Sequence, residues 1–383
     1  MQISYIDTTD ELTEVVQKLQ QTERIAIDLE FDRNRYRYGF NMCLMQVYDG
    51  SSTYLIDPLS EKIDISTSFS VFEDSGISKV VFAFGEDLRL FHSLGCFPKN
   101  ISDLDIVSSL LNYPPSSLDN LLQKVLDIEP GRSSQQSNWY KRPLSDKQKK
   151  YAASDVYHLL ELNETLMNEA EREGIKDWVL QENALHDHLD YSQENHNNMI
   201  KEKDKKEQSE FSWYVYTQLM EFFDTVACEN NKPVYHLVSK DLIKKIAGNP
   251  SEVDRWQNTR GIYRKLKSNT FFKRLKTFLN QAVEEANNKG LAKNKPAIKR
   301  LNKDEYKEIK KERNRIGQIK SAVFKPLQKH MIDQLGKHTK SFILPNRLVS
   351  ELIQGNADTL PSYKKKLLLE YADQIDVDVS PFI

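Results

Sequence analysis

Five side chains, in three separate stretches, have the types and spacing to do chemistry together. Asp28 and Glu30 lie in Arg24-Ile25-Ala26-Ile27-Asp28-Leu29-Glu30-Phe31-Asp32-Arg33, Asp87 in Gly85-Glu86-Asp87-Leu88, and Tyr151 and Asp155 in Tyr151-Ala152-Ala153-Ser154-Asp155. Four carboxylates brought together would hold two divalent cations about 4 Å apart, the arrangement for in-line displacement at a phosphodiester. One cation would activate the attacking water and the other stabilise the leaving 3′ oxygen. Hard oxygen ligands favour Mg2+ or Mn2+ over zinc. Tyr151, one turn from Asp155, would orient the water, since a free tyrosine titrates at about pH 10 and is a poor base at neutral pH. Each group also has an ordinary reading. Two acids on one strand face equally describe a solvated surface. An acid such as Asp87 commonly opens a helix, and a Tyr and an Asp one turn apart commonly share a surface hydrogen bond.

These residues need elements to carry them. Ile25, Ile27, Leu29 and Phe31 alternate with Arg24, Ala26, Asp28 and Glu30, which predicts a strand with both acids on one face. Thr8 and Glu11 predict a capped helix before it. Met42 to Val47 and Thr53 to Ile56 read as strands around the turn Asp49-Gly50-Ser51-Ser52. Lys79 to Phe84 reads as a short buried strand broken by Gly85, which puts Asp87 at a helix start. Ser145-Asp146-Lys147-Gln148 opens a long helix that places Tyr151 and Asp155 on one face. The order predicts an α/β domain whose sheet begins with antiparallel pairing.

The chain has 383 residues, room for more than one domain. Charged residues are 29% of it and net charge is -2, so any affinity for nucleic acid must come from local patches. No run is long enough to span a membrane. Met1 to Ile6 lacks a signal signature. Three distant cysteines suggest neither a disulfide framework nor a zinc site, and a cytoplasmic location is expected. The second half is helical in pattern and repeats a rhythm weakly: Leu219 to Val226 helical, Pro233 to Val238 extended, then Ile309 to Gly336 helical and Phe342 to Pro345 extended. The boundaries read are 1–191 for the α/β domain, 192–210 for a polar linker, and 211–290 and 291–383 for two small all-α domains.

The three motifs Asp28-Leu29-Glu30-Phe31, Gly85-Glu86-Asp87-Leu88 and Tyr151-Ala152-Ala153-Ser154-Asp155-Val156 resemble those of the DEDD 3′–5′ exonucleases of the tyrosine subgroup. Leu44-Met45-Gln46, Ile56-Asp57-Pro58-Leu59 and Trp139-Tyr140-Lys141-Arg142-Pro143-Leu144 resemble ribonuclease D-type members in particular, and the helical tail resembles paired HRDC domains. The resemblance implies a ribonuclease H-like exonuclease fold, a mixed sheet flanked by helices, followed by two HRDC-type domains. It implies metal ligands at Asp28, Glu30, Asp87 and Asp155 and a water-orienting Tyr151. The sequence departs from the family pattern at Leu29, Phe82, Asn138 and Asp103-Leu104-Asp105, where threonine, histidine, aspartate and Asp-Thr-Gln are usual.

Lys240 to Lys276 carries eleven Lys and Arg against three acids, interleaved with Trp256, Tyr263, Phe271 and Phe272. Such a mix suits single-stranded nucleic acid, and it equally describes solvated helix faces over an aromatic core. Arg33, Arg35, Tyr38, Trp139, Arg142, Lys265 and Lys267 are the candidates for contact. The expected activity is trimming of RNA 3′ ends, tRNA precursors above all, with release of nucleoside 5′-monophosphates. DNA ends are the alternative substrate, and an inert nucleic-acid-binding adaptor is the alternative class. No membrane and no obligate protein partner are expected.

Overall fold

The computed structural model describes residues 2–131, 134–193, 200–206, 208–294, 303–356 and 360–383. Its sheet has six strands: β1 (Gln2–Ile6), β2 (Arg24–Arg33), β3 (Phe40–Tyr48), β4 (Ser52–Ile56), β5 (Ser78–Val81) and β6 (Ile101–Asp103). Their order is β1-β4-β3-β2-β5-β6. β3 and β4 pair antiparallel through a turn that Asp49 closes by accepting from the backbone of Ser51 and Ser52. β1 runs parallel to β4, and β5 parallel to both β2 and β6. The sheet is therefore mixed and flanked by helices, as expected. β1 and β6 were not legible as strands, being five and three residues long.

β2 lies inside the sheet, with β3 on one side and β5 on the other. Ile25, Ile27 and Leu29 are buried on one face; Ala26 and Glu30 are buried on the other. A strand covered on both faces excludes the solvated-surface reading of its acids.

Two compact units are present. One comprises Met1–Glu30, Met42–Gln193 and Asn302–Ile383; the other comprises Phe31–Asn41 and Glu194–Leu301. In the first unit one apolar core runs from Ala26 and Val80 through Val156, Leu159 and Leu166 to Phe324, Leu352 and Leu368. The C-terminal helices thus share a core with the sheet domain. Polar contacts reinforce this: the Tyr363 hydroxyl donates to Glu182 at 2.7 Å, Lys364 pairs with Glu182 at 3.0 Å, and the Tyr363 ring stacks on Trp178 at 5.3 Å.

The second unit is built around the helix Glu210–Glu229, which packs on Lys240–Gly248 and Asn269–Asn288. Trp256 lies in its core, stacked against Phe223 (5.7 Å) and Phe271 (6.0 Å), and its indole N–H donates to the Leu266 carbonyl at 2.7 Å. Of the two readings of the aromatics in this stretch, Trp256 and Phe271 take the core one, since both are buried.

Of two segments expected to be extended, Pro233 to Val238 is helical over Val234–Leu237, and Phe342 to Pro345 is helical only at Phe342 and Ile343, the end of the helix Lys337–Ile343, with Pro345 extended. Val234 with Leu237 and Thr339 with Ile343 are buried at helical spacing, so burial overrides the strand preference of the local residues. The long helix expected after Ser145 breaks at His158 into Asp146–Tyr157 and Leu159–Arg172. Residues 194–199 and 207 of the expected linker lie outside the described residues, as do 295–302 near the start of the second helical stretch.

Candidate active site

The acidic strand and the helix Asp146–Tyr157 bring three carboxylates together. One oxygen each from Asp28, Glu30 and Asp155 lies within 4.8 Å of the others. The helix starts on a full capping box: the Ser145 side chain accepts from the Gln148 N–H, and Gln148 accepts from the Ser145 N–H. Ala152 and Ala153 are fully buried on its sheet-facing side, and such small side chains let the helix approach the sheet closely. Asp87 is the third residue of the helix Gly85–Ser93 and is buried. It stands outside the tight triplet, yet near enough that its charge and that of Asp28 act on one another.

Burial comes first, and mutual repulsion second, in setting the protonation of this cluster. Glu30 is pushed up to about 10 by burial and by the charges of Asp28, Asp155 and Asp87. Asp155 is pushed up to about 9 by burial, Asp28 and Asp119, against a lowering hydrogen bond from Tyr151. Burial raises Asp28 to about 7, and burial with Asp28 raises Asp87 well above the usual carboxylate range. No lysine or arginine is among the groups that shift these four, among the described residues. Clustered hard oxygens without a cationic side chain are the donor set that suits a divalent cation such as Mg2+ or Mn2+.

Tyr151 is hydrogen-bonded to Asp155, and its ring lies 6.3 Å from that of Trp139. Trp139 is 3% exposed and packs with Cys43, Leu44, Leu55 and Leu144 beneath the helix. Arg142 forms a two-toothed pair with Asp57, and its guanidinium also donates to the carbonyls of Trp139 (2.7 Å) and Cys43 (2.7 Å). The Tyr5 hydroxyl donates to the same Asp57. Trp139 and Arg142, candidates for nucleic-acid contact, are engaged within the protein: Trp139 packs against the helix that carries Tyr151, and Arg142 is held by Asp57 and the carbonyls of Trp139 and Cys43.

The remaining candidates belong to the second unit. Asp32 accepts from the backbone of Arg35, Tyr36 and Arg37 and shapes the loop after β2. Arg33 lies over the Phe40 ring and Arg35 over the Tyr36 ring. Tyr38 donates its hydroxyl to Asp224 at 2.7 Å. Lys240 and Lys244 pair with Asp204, Lys245 with Glu252, Arg274 with Glu229 and Lys276 with Asp254. Arg260, Arg264, Lys265, Lys267 and Lys273 make no ion pair among the described residues. Lys265 is exposed and Lys267 half-buried, flanking buried Leu266.

Two acids near the cluster were not singled out from sequence. Asp119 acts on Asp155 from the first turn of Leu118–Leu126, where an acid looks like any helix-start acid. Asp103 holds the turn before Asp87 and had been visible only as part of a departure from the family pattern.

Residues 3–171 match a protein-family model described as 3′–5′ exonuclease. Ribonuclease D of Gluconacetobacter diazotrophicus is 32% identical over 182 residues, 47% of this chain and 46% of that protein. Ribonuclease D of Escherichia coli is 32% identical over 176 residues, 45% of this chain and 46% of that protein. The chain thus covers about half the length of these curated relatives. The crystal structure of Escherichia coli RNase D has the same fold, with a TM-score of 0.68 at 22% identity over 98% of this chain and 99% of that one. No helix among the described residues is long and apolar enough to cross a membrane.

Proposed function

We propose that the protein is a metal-dependent 3′–5′ exoribonuclease, from the match of residues 3–171 to a 3′–5′ exonuclease family model and the similarity to ribonuclease D. The observation that carries this is the convergence of Asp28, Glu30 and Asp155 within 4.8 Å, with Tyr151 bonded to Asp155. We assign Asp28, Glu30, Asp87 and Asp155 as the residues that would hold Mg2+ or Mn2+. Bound there, divalent cations supply acidification of the attacking water and charge to offset the leaving 3′ oxygen.

The protein's own groups do the rest. β2 holds Asp28 and Glu30 one pleat apart on a strand with neighbours on both sides, so neither carboxylate shifts without the sheet. Tyr151 anchors on Asp155 and presents its hydroxyl oxygen to orient the water. The new bond joins the water oxygen to phosphorus, and the bond to the preceding nucleotide's 3′ oxygen breaks. The products are a nucleoside 5′-monophosphate and an RNA one residue shorter with a free 3′ hydroxyl.

The substrate reading is RNA with a single-stranded 3′ tail, tRNA precursors included. Arg260, Arg264, Lys265, Lys267 and Lys273, which make no ion pair among the described residues, support nucleic-acid contact by the second unit. We read 211–290 as an HRDC-type domain following an exonuclease domain at 1–191, and 291–383 as a second HRDC-type helical stretch whose apolar side chains join the core of the exonuclease domain. The test is a time course on 3′-labelled RNA and DNA of one sequence with Mg2+, Mn2+ or chelator. Metal-dependent release of labelled mononucleotide from RNA supports the reading. Release from DNA alone would transfer it to DNA ends, and no release with either metal would refute it.

A further inference from the structure

β5 ends at Val81, and the helix carrying Asp87 begins at Gly85. Three residues, Phe82, Ala83 and Phe84, make the whole connection. Ala83 has φ +54°, in the left-handed region that a residue with a Cβ seldom occupies. Phe84 stands at the helix cap and gives it no side-chain hydrogen bond. The backbone N–H groups of this turn therefore need acceptors from elsewhere.

Asp103 supplies them. β6 lies parallel to β5 and sets Asp103 beside Val81. One carboxylate oxygen accepts from the Ala83 N–H at 2.8 Å, the other from the Phe84 N–H at 3.0 Å. The first oxygen also accepts from the Asp105 N–H at 3.0 Å and so caps the helix Leu104–Leu110. Asp103 is itself fixed: it is buried, and its N–H donates to the buried Asn183 side chain at 2.9 Å. Relaxation of the turn would break at least one of these bonds.

We propose that Asp103 is a positioning residue whose carboxylate locks the Phe82–Phe84 turn in its left-handed form and so aims Asp87 at the Asp28 and Glu30 cluster. The inference rests on the metal-dependent reading above. It accounts for an acid that holds the backbone of another ligand's turn, beside the direct action of its charge on Asp87. In this proposal Asp103 touches neither substrate nor cation. Its effect is on the geometry of Asp87, and hence on how tightly the cluster closes around a cation.

The test uses the full chain with Asp103→Asn and Asp103→Ala. Mn2+ binding is followed by the loss of the free-ion resonance signal, thermal unfolding is measured in chelator, and mononucleotide release is titrated against Mn2+. Asp103→Asn keeps one oxygen for Ala83 and Asp105 but sets an amide against the Phe84 N–H. The Mn2+ dissociation constant is expected to rise by roughly 10- to 100-fold, less for Asn than for Ala, with activity recovering at high Mn2+. A folded variant with a lower unfolding temperature but wild-type Mn2+ affinity would overturn the proposal, because a merely structural role predicts that pattern. Should the Ala variant not fold, the near-isosteric Asn variant decides alone. Wild-type protein that binds no Mn2+ would overturn the metal reading itself, and this proposal with it.

Discussion

The metal-free protein should lose stability as pH rises through neutrality, and Glu30→Gln should remove one proton's share of that loss. Glu30 rises from 4.5 to about 10 in the fold, and Asp155 from 3.8 to about 9, burial being the first cause for both. In the unfolded chain both ionise at about pH 4. Between about pH 4.5 and about pH 9 the folded state therefore keeps protons that the unfolded chain has released. The unfolded state binds fewer protons, so the unfolding free energy falls with pH, by about 1.4 kcal/mol per unit for each proton retained. One such proton, followed from about pH 5.5 to about pH 7.5, is worth about 2.7 kcal/mol. For a unit of this size that is a drop in Tm of roughly 5–10 °C. The assay is thermal denaturation by circular dichroism in chelator across that window, repeated with saturating Mn2+. Mn2+ should flatten or reverse the slope, because it binds the ionised cluster of the folded state alone. A Tm that stays level or rises with pH in chelator would refute the reasoning, as would a Glu30→Gln variant that keeps the full slope.

Tyr151→Phe should slow mononucleotide release about tenfold or more, the equivalent of one hydrogen bond to a charged group, with RNA affinity unchanged; single-turnover rates beside filter binding check this. Glu182→Ala should leave Lys364 buried without its partner and cost about 3–5 kcal/mol in urea unfolding, loosening the C-terminal helices from the sheet domain. Replacing Lys265 and Lys267 together by Ala should weaken RNA binding at low salt and reduce the slope of log affinity against log salt by about 2, measured by fluorescence anisotropy.

The alternation of Ile25, Ile27, Leu29 and Phe31 made β2 legible, and with it the shared face of Asp28 and Glu30. Whether that face is covered was not legible, because coverage depends on β3, β5 and a helix more than a hundred residues later. Asp103 shows the same limit: its residue type says helix start, while its partners are backbone groups twenty positions earlier. Trp139 and Arg142 were assigned to nucleic acid because aromatic and cationic types suit it. The same types suit contacts within the protein, and Asp57, the partner of Arg142, is 85 positions away. Pro233 to Val238 and Phe342 to Pro345 looked extended because local preference was weighed without knowing which side chains are buried. Phe31–Asn41 follows Glu30 directly in the chain yet forms a compact unit with residues 194–301, a long-range association that local pattern does not encode.

The central claim is that the carboxylates of Asp28, Glu30, Asp87 and Asp155 form one metal-dependent hydrolytic centre. Its most direct test is the release of nucleoside 5′-monophosphate from 3′-labelled RNA by wild-type protein and by Asp28→Ala, each with Mn2+ at matched concentration and with RNA binding measured in parallel. The account predicts release by the wild type that chelator stops, and none by the variant, with both still binding RNA. Undiminished release by Asp28→Ala would contradict it.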